Sequence, residues 1–339
     1  MIDLQTASKS ELIQLIEDCF AGKVPELFSI AKKIKEQHYG NTVFPRGLVE
    51  VTNYCAKDCF YCGIRASNDK VRRYHLSKED ILMCCQKGYD LGLRTFVLQG
   101  GEDNYYTDEL LCDIIKVLKD KYPDAAVTLS LGERSKISYE RLRQVGVDRY
   151  LLRHETANAK HYRKLHPKSL TLAKRQEHLG DLKEIGFQTG AGLMVGSPGQ
   201  NVECLAEDLM YLRELQPHMV GIGPFIPHED TPFANESAGD LYQTLCMVAL
   251  TRILLPKALL PATTALGSIA KDGLEQGLLA GANIIMPNLS PPQFREAYAL
   301  YNGKVHGESE VAEKLATIER RLQAIGMELD KSRGDYREI

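Results

Sequence analysis

From residue 47 onward the chain repeats one rhythm: a short run of apolar, β-favouring residues, a loop, then a longer stretch with helical periodicity. That alternation specifies parallel strands joined by crossover helices, because a helix must return the chain to the same end of the sheet before the next strand begins. Eight strand segments read this way, at 47–52, 95–99, 126–131, 149–154, 190–195, 220–226, 260–265 and 284–286. Periodic segments at 78–91, 108–121, 173–185, 204–215, 241–255 and 273–280 supply helices between them. Eight units predict an α/β fold of the complete (β/α)8 TIM type, with chemistry expected where strands end and βα loops begin. Ahead of the barrel, residues 9–38 read as two amphipathic helices, capped by Ser8 or Ser10 and apolar along Leu12, Leu15, Ile16 and Cys19, expected to form a lid or plug. Behind it come one more charged helix from about residue 308 and a solvated, poorly ordered tail at 330–339. The expected division is an N-terminal helical extension over 1–42, the barrel over 43–305, and a C-terminal helix and tail over 306–339.

With 339 residues, 44% of them apolar, the chain has material for one barrel-sized core. A net charge of -3 and a pI near 6.3 leave no electrostatic footprint for nucleic acid. The most apolar long stretch, 247–265, is broken by Arg252, Pro256, Lys257 and Pro261, so it predicts no membrane span. Asp3, Glu11 and Glu17 near the start do not suit a signal peptide, which makes the cytoplasm the expected location. Nine cysteines, an odd number, point to reduced thiols or metal binding rather than a disulfide framework. Six of them, Cys19, Cys84, Cys85, Cys112, Cys204 and Cys246, fall in predicted helices and read as buried packing residues.

The other three, Cys55, Cys59 and Cys62, share the loop after the first strand with C-x3-C-x2-C spacing. Thiolates hold iron-sulfur clusters, and a cubane normally takes four, so a set of three leaves one iron open to a substrate. A zinc knuckle or three buried thiols are the competing readings. Zinc sites pair C-x(2-4)-C elements with a further Cys or His near by, and the nearest candidate, His75, sits beyond a basic stretch. Tyr61 puts an aromatic ring beside the cysteines, able to stack on a base or simply to seal the loop.

Other strand ends add polar groups to the same rim. After the second strand, Gln99-Gly100-Gly101-Glu102-Asp103 combines close backbone approach with a carboxylate that can grip an ammonium; a plain glycine turn with a surface acid is the alternative. The third strand ends near Ser130 and Glu133. On the fourth, alternation sends Arg149, Leu151 and Arg153 to one side. Buried arginines demand partners, and ligand carboxylates or salt bridges of Arg153 with Glu155 or Glu133 would both serve. Gly/Pro loops at 194–199 and 221–228, Thr263-Thr264, Met286-Pro-Asn288, Tyr298 and Tyr301 complete the rim. H-E-x-x-H, G-x-S-x-G and P-loop motifs are missing, which removes zinc-protease, serine-hydrolase and P-loop chemistry.

The cysteine loop directly after a first barrel strand, the aromatic before the third cysteine and the Gly-Gly-Glu after the second strand together resemble the radical S-adenosylmethionine superfamily. Within it, the runs at 127–133, 149–158, 189–192, 219–228, 261–265 and 285–288 resemble the HydE family of FeFe-hydrogenase maturases, over roughly residues 9–328. The resemblance implies one 4Fe-4S cluster on Cys55, Cys59 and Cys62, with its fourth iron chelated by the amino and carboxylate groups of S-adenosylmethionine. It implies reductive cleavage to methionine and a 5'-deoxyadenosyl radical, used on a cysteine-bound iron carbonyl cyanide precursor of the hydrogenase active-site cluster. By the same resemblance Gly101 and Glu102 match the amino-group site, Glu155 and Arg175 further polar contacts, and Tyr61 the adenine side, with Ser130 and Ile222 also on the cofactor. Arg46, Thr128, Arg149, Thr264, Met286 and Tyr298 match positions lining the family's inner substrate cavity. Implied partners are a small-molecule substrate, other hydrogenase maturases and a one-electron donor such as ferredoxin or flavodoxin, with neither nucleic acid nor membrane. One departure matters: many members carry three extra cysteines after the last strand for a surface cluster, whereas 302–325 has none and His306 stands where the first would be. A second cluster is therefore expected to be absent.

Two rivals remain. Another enzyme of the superfamily, such as methylornithine synthase or biotin synthase, would share the radical generator; the latter needs strand cysteines that this chain lacks, and the Arg-His-Glu-Thr run with the doubled threonine favours the maturase over the mutase. A noncatalytic iron-sulfur scaffold would need a fourth protein ligand and would have no use for glycines and carboxylates around an open iron.

Overall fold

The chain enters the sheet region through β1 (Thr42–Pro45) and, after Arg46, continues as β2 (Gly47–Thr52). The structure is a computed structural model that describes residues 2–304 and 311–337, so His306 lies outside the described residues. β2, β3 (Thr95–Gly100), β4 (Ala126–Ser130), β5 (Arg149–Leu151), β6 (Gln188–Val195) and β7 (Met219–Pro224) form one parallel sheet in sequence order. β1 pairs in parallel with β8 (Ile284–Ile285) on one side and with β9 (Glu328–Leu329) on the other. Every residue of β2 and β7 is buried, as parallel strands covered on both faces require.

The seventh expected strand, 260–265, is corrected by the structure. Leu259 and Pro261 make only single parallel bridges, to Met219 and Ile284, and Thr264–Ile269 is helical. Pro261 has no N–H to give a ladder, which restricts this segment to isolated contacts. A further bridge joins Leu48 of β2 to Asn288, beyond β8.

Crossover helices begin where a small polar side chain satisfies an orphan N–H of the first turn: Ser77 before Lys78–Asp90, Thr107 before Asp108–Lys121, Asn201 before Val202–Leu215. Each then turns an apolar stripe inward, as Leu111, Ile114, Ile115 and Leu118 do. The six cysteines outside the loop all lie in helices, five of them buried. No helix among the described residues is long and apolar enough to cross a membrane.

Lys9–Phe20, capped by Ser8 in a reciprocal pair with Glu11, packs on Val202–Leu215, and Leu27–Tyr39 packs on Leu241–Leu254. They lie against outer helices, and Tyr39 at the end of the second packs with Phe44 of β1 and Met219 of β7. The tail is not the loose solvated end expected. Beyond helix Val311–Ala324, β9 joins β1, and residues 333–335 fold back under the sheet. There Arg149 Nη2 donates to the Arg333 carbonyl at 2.8 Å and to Asp335 Oδ1 at 2.6 Å. A wholly buried arginine needs a counter-ion, and the tail supplies it.

Candidate functional site

The loop after β2 brings Cys55, Cys59 and Cys62 to the wall of a cavity of about 320 Å³. All three are free thiols. Burial pushes the Cys59 thiol up to about 12 and raises Cys55 and Cys62 as well, so as bare side chains they stay protonated. Thiolates here need an adjacent cation, as cluster irons would provide. The backbone is arranged to receive sulfur: Cys55 Sγ accepts the N–H groups of Lys57 and Glu102, both at 3.4 Å. Gly101 permits that approach, since a Cβ there would lie 2.1 Å from the Tyr54 carbonyl oxygen and 2.6 Å from Cys55 Cβ. Among the described residues no three His, Cys, Asp or Glu side chains converge as they would on one metal ion. A knuckle needs that convergence on a single zinc, whereas a cubane spreads its thiolates over separate irons. The donor set fits the cluster.

Charged side chains form a connected chain along the cavity wall and the groove beside it. Burial holds the Glu102 carboxyl above the ordinary carboxylate range, opposed by Lys57 at 3.2 Å. Gly132, at φ +72°, leaves room for Glu102, whose Cγ would lie 1.9 Å from any Cβ placed there. Lys57 also reaches Glu133 at 3.3 Å, and Glu133 takes Arg175 Nε at 2.8 Å. Arg175 Nη1 then donates to the Arg153 carbonyl at 2.9 Å, while Arg153 Nη2 approaches Glu155 at 3.2 Å. The chain is incomplete: Arg153 Nε, Glu155 Oε2 and Thr263 Oγ1 are buried without a hydrogen-bond partner. Such groups cost about 1–3 kcal/mol each, which a polar ligand would recover. Glu155 is also held at φ +66°, a left-handed conformation costing a non-glycine residue about 1–3 kcal/mol, pinned by its N–H to the Gly192 carbonyl at 2.9 Å.

Tyr61 is fixed from behind. His166 lies 3.0 Å from the Tyr162 carbonyl through Nδ1, so that nitrogen carries the proton and Nε2 accepts from the Tyr61 hydroxyl at 3.3 Å. Burial pushes His166 down to about 4, which keeps it neutral at pH 7.

Most of the residues expected from the sequence meet at this cavity. Cys55, Cys59, Cys62, Tyr61, Gly101, Glu102, Ser130, Glu155, Arg175, Thr264, Met286 and Tyr298 line it. Ile222, Arg46, Thr128 and Arg149 do not. Ile222 lies between Gly221 and Gly223, which line the cavity, so strand alternation turns it to the other face. Thr128 sits one inward layer below Ser130, its hydroxyl buried and unpartnered. Arg46 donates to Met219 Sδ at 3.0 Å, and Arg149 is taken up by the tail. Arg153 and Thr263, read from the sequence as a rim arginine and a rim threonine, line the cavity as well, whereas sequence reasoning passed over Glu50 and Lys304. Glu50 pairs with Lys304 and accepts from Asn288 Nδ2 at 2.8 Å. A lone carboxylate in the otherwise uncharged strand 47–52 was the available signal. A wider polar groove of about 560 Å³ adjoins the cavity and shares Lys57 and Glu102, but holds none of the cysteines.

Residues 49–212 match the Radical SAM superfamily model. The chain is 49% identical over 279 residues to the [FeFe] hydrogenase maturase subunit HydE of Thermotoga maritima, covering 82% of this chain and 79% of that protein. A 3-methylornithine synthase of Methanosarcina acetivorans is 27% identical, over 90% of this chain and 85% of the relative. In fold, the chain is similar to methylornithine synthase (TM-score 0.77, 24% identity, 96% of this chain and 91% of that one). It is also similar to the FeFe-hydrogenase maturase HydG from Carboxydothermus hydrogenoformans (TM-score 0.75, 20% identity, 96% and 85%). By this cysteine-walled cavity and by its identity to that relative, the chain belongs to the radical S-adenosylmethionine superfamily and, within it, to the HydE family of maturases.

Proposed function

We propose that this radical S-adenosylmethionine enzyme acts on a cysteine-bound iron carbonyl cyanide precursor during assembly of the FeFe-hydrogenase active-site cluster. One observation carries the reading: three thiols, the Gly101–Glu102 backbone and the under-partnered pair of Arg153 and Glu155 all face one cavity. Cys55, Cys59 and Cys62 would hold a 4Fe-4S cluster by three corners, leaving one for the amino and carboxylate groups of S-adenosylmethionine. When bound, the cluster supplies one electron that breaks the sulfonium C–S bond, giving methionine and a 5'-deoxyadenosyl radical. The chain's own side chains do the positioning. Glu102 offers a carboxylate to the ammonium, Arg175 and Ser130 offer donors to the carboxylate, Glu155 offers its carboxylate to hydroxyl groups, and Tyr61 offers a fixed ring to the base. Thr264, Met286 and Tyr298, with Arg153, bound the part of the cavity left for the substrate.

The bridges at Leu259, Pro261 and Asn288 support a complete (β/α)8 barrel over 43–305, between a helical extension at 1–42 and a helix and tail at 306–339. The enzyme works in the cytoplasm beside other hydrogenase maturases, with ferredoxin or flavodoxin as the one-electron donor.

The experiment is anaerobic: reconstitute the protein, reduce it with dithionite, add S-adenosylmethionine and measure 5'-deoxyadenosine. Cys59→Ala should form none above background, and equal product from that variant defeats the proposal. Iron analysis should give about four irons per chain, a single cubane.

A further inference from the structure

We infer that Asp208, acting with His154, is the positioning residue that holds the Glu155 carboxylate toward the cavity, an inference that rests on the cofactor role proposed for Glu155 above. Two described non-glycine residues stand at positive φ: Gln216 caps a helix, and Glu155 lines the cavity. A left-handed conformation persists at such a residue only where its surroundings over-determine it, so the chain on either side must be fastened.

Two sets of fastenings are present. The first is backbone on β6, where the Gly192 carbonyl takes the Glu155 N–H at 2.9 Å and the Met194 N–H reaches the Glu155 carbonyl at 3.3 Å. The second is a staple of side chains. His154 Nδ1 accepts the Gly192 N–H at 3.3 Å, so the ring proton sits on Nε2, which donates to Asp208 Oδ1 at 3.2 Å. The same oxygen accepts the Ala157 N–H at 2.5 Å. One carboxylate oxygen therefore gathers the residue before Glu155 and the residue two places after it, with the strained peptide held between them. On the neighbouring turn, Glu207 takes Asn158 Nδ2 at 2.8 Å, so the loop is registered against a single stretch of helix Val202–Leu215.

Packing by itself does not call for this carboxylate. Asp208 is wholly buried on a helix whose inward stripe is otherwise Leu205, Leu209 and Leu212, and its Oδ2 has no hydrogen-bond partner. Such an oxygen destabilises the fold, and a leucine would fill the place without that cost. His154 is wholly buried as well, its ring edge-on to Tyr211 with centroids 5.1 Å apart. Neither side chain lines the cavity, so both act on a ligand through Glu155. Without the staple, Glu155 relaxes toward an ordinary φ and its carboxylate turns away from the hydroxyl groups it is placed to meet.

The test is a double-mutant cycle on the reconstituted full chain. Asp208→Leu should weaken calorimetric binding of S-adenosylmethionine about tenfold, whereas Asp208→Asn, which keeps an acceptor oxygen, should stay within about threefold of the parent. In a Glu155→Ala background Asp208→Leu should add less than about twofold, because no carboxylate remains to be positioned. Losses that simply add would make Asp208 a general support of the barrel and overturn the inference. Thermal unfolding without S-adenosylmethionine gives a second reading. Glu155→Gly relieves strain only while the staple enforces it, so it should raise the melting temperature of the parent and not that of Asp208→Leu. The same gain in both, or a gain in neither, overturns the staple. Should Asp208→Leu fail to fold, His154→Phe removes the two hydrogen bonds of the ring alone, and the same two comparisons apply. A parent that binds no S-adenosylmethionine would instead sink the proposed function, and the unfolding comparison would still decide the staple.

Discussion

Arg149 opens β5 and Arg153 stands two residues beyond its end, and their surroundings differ. Arg149, wholly buried at the lower end, is met by Gln188, Thr95, the carbonyls of Arg333 and Gly334, and Asp335. Arg153, at the upper end, gives one hydrogen bond to the Leu193 carbonyl, keeps a misaligned 3.2 Å contact with Glu155, and leaves Nε unpartnered. Where a polar group builds the fold, the chain completes its partners. Where the site takes a ligand, it stops short, because a completed network would have to be broken before anything could bind.

The sharpest way to break this contrast is to blunt the upper end. Glu155→Gln should lower 5'-deoxyadenosine formation about 30-fold, the worth of one charged hydrogen bond, with stability little changed; an active variant would show that its carboxylate meets no ligand. Next comes Arg149→Leu at the lower end, which strips Asp335 of its buried partner and should cost about 3 kcal/mol in denaturant unfolding. Product formed per folded molecule should hold at the parental level, and a drop would restore Arg149 to the substrate cavity. Smaller again, Glu155→Gly releases the left-handed backbone and should raise stability by about 1 kcal/mol even as activity falls, a separation that thermal unfolding and turnover read independently. The smallest effect is in pH. Burial alone would raise the Asp335 carboxyl, but Arg333 and Arg149 hold it at about 2. A carboxyl depressed in the folded state contributes stability above its unfolded pKa of about 4 and loses it as pH falls toward 2. Asp335→Asn should therefore show a shallower loss of stability than the parent over that window.

Cys55, Cys59 and Cys62 were legible because ligand spacing within one loop is local information. Strand positions from β2 to β7 were legible for the same reason, since apolar runs between capped helices mark themselves. The segment 260–265 was not: read as a strand, it contains Pro261, whose missing N–H interrupts a ladder, and it turns helical from Thr264. Nor was the choice between Arg149 and Arg153. Alternation puts both on one side, and the height that separates a structural arginine from a cavity arginine depends on where the tail ends up, over 180 residues away.

By itself, then, the sequence determined the cluster loop, the order of strands and helices, and the family to which they point, all written in spacings of a few residues. The tertiary structure alone decided which charges are spent holding the barrel and which stay open to a ligand. That difference is set by partners such as Asp335 and Lys304, brought from distant segments, and no local pattern records it.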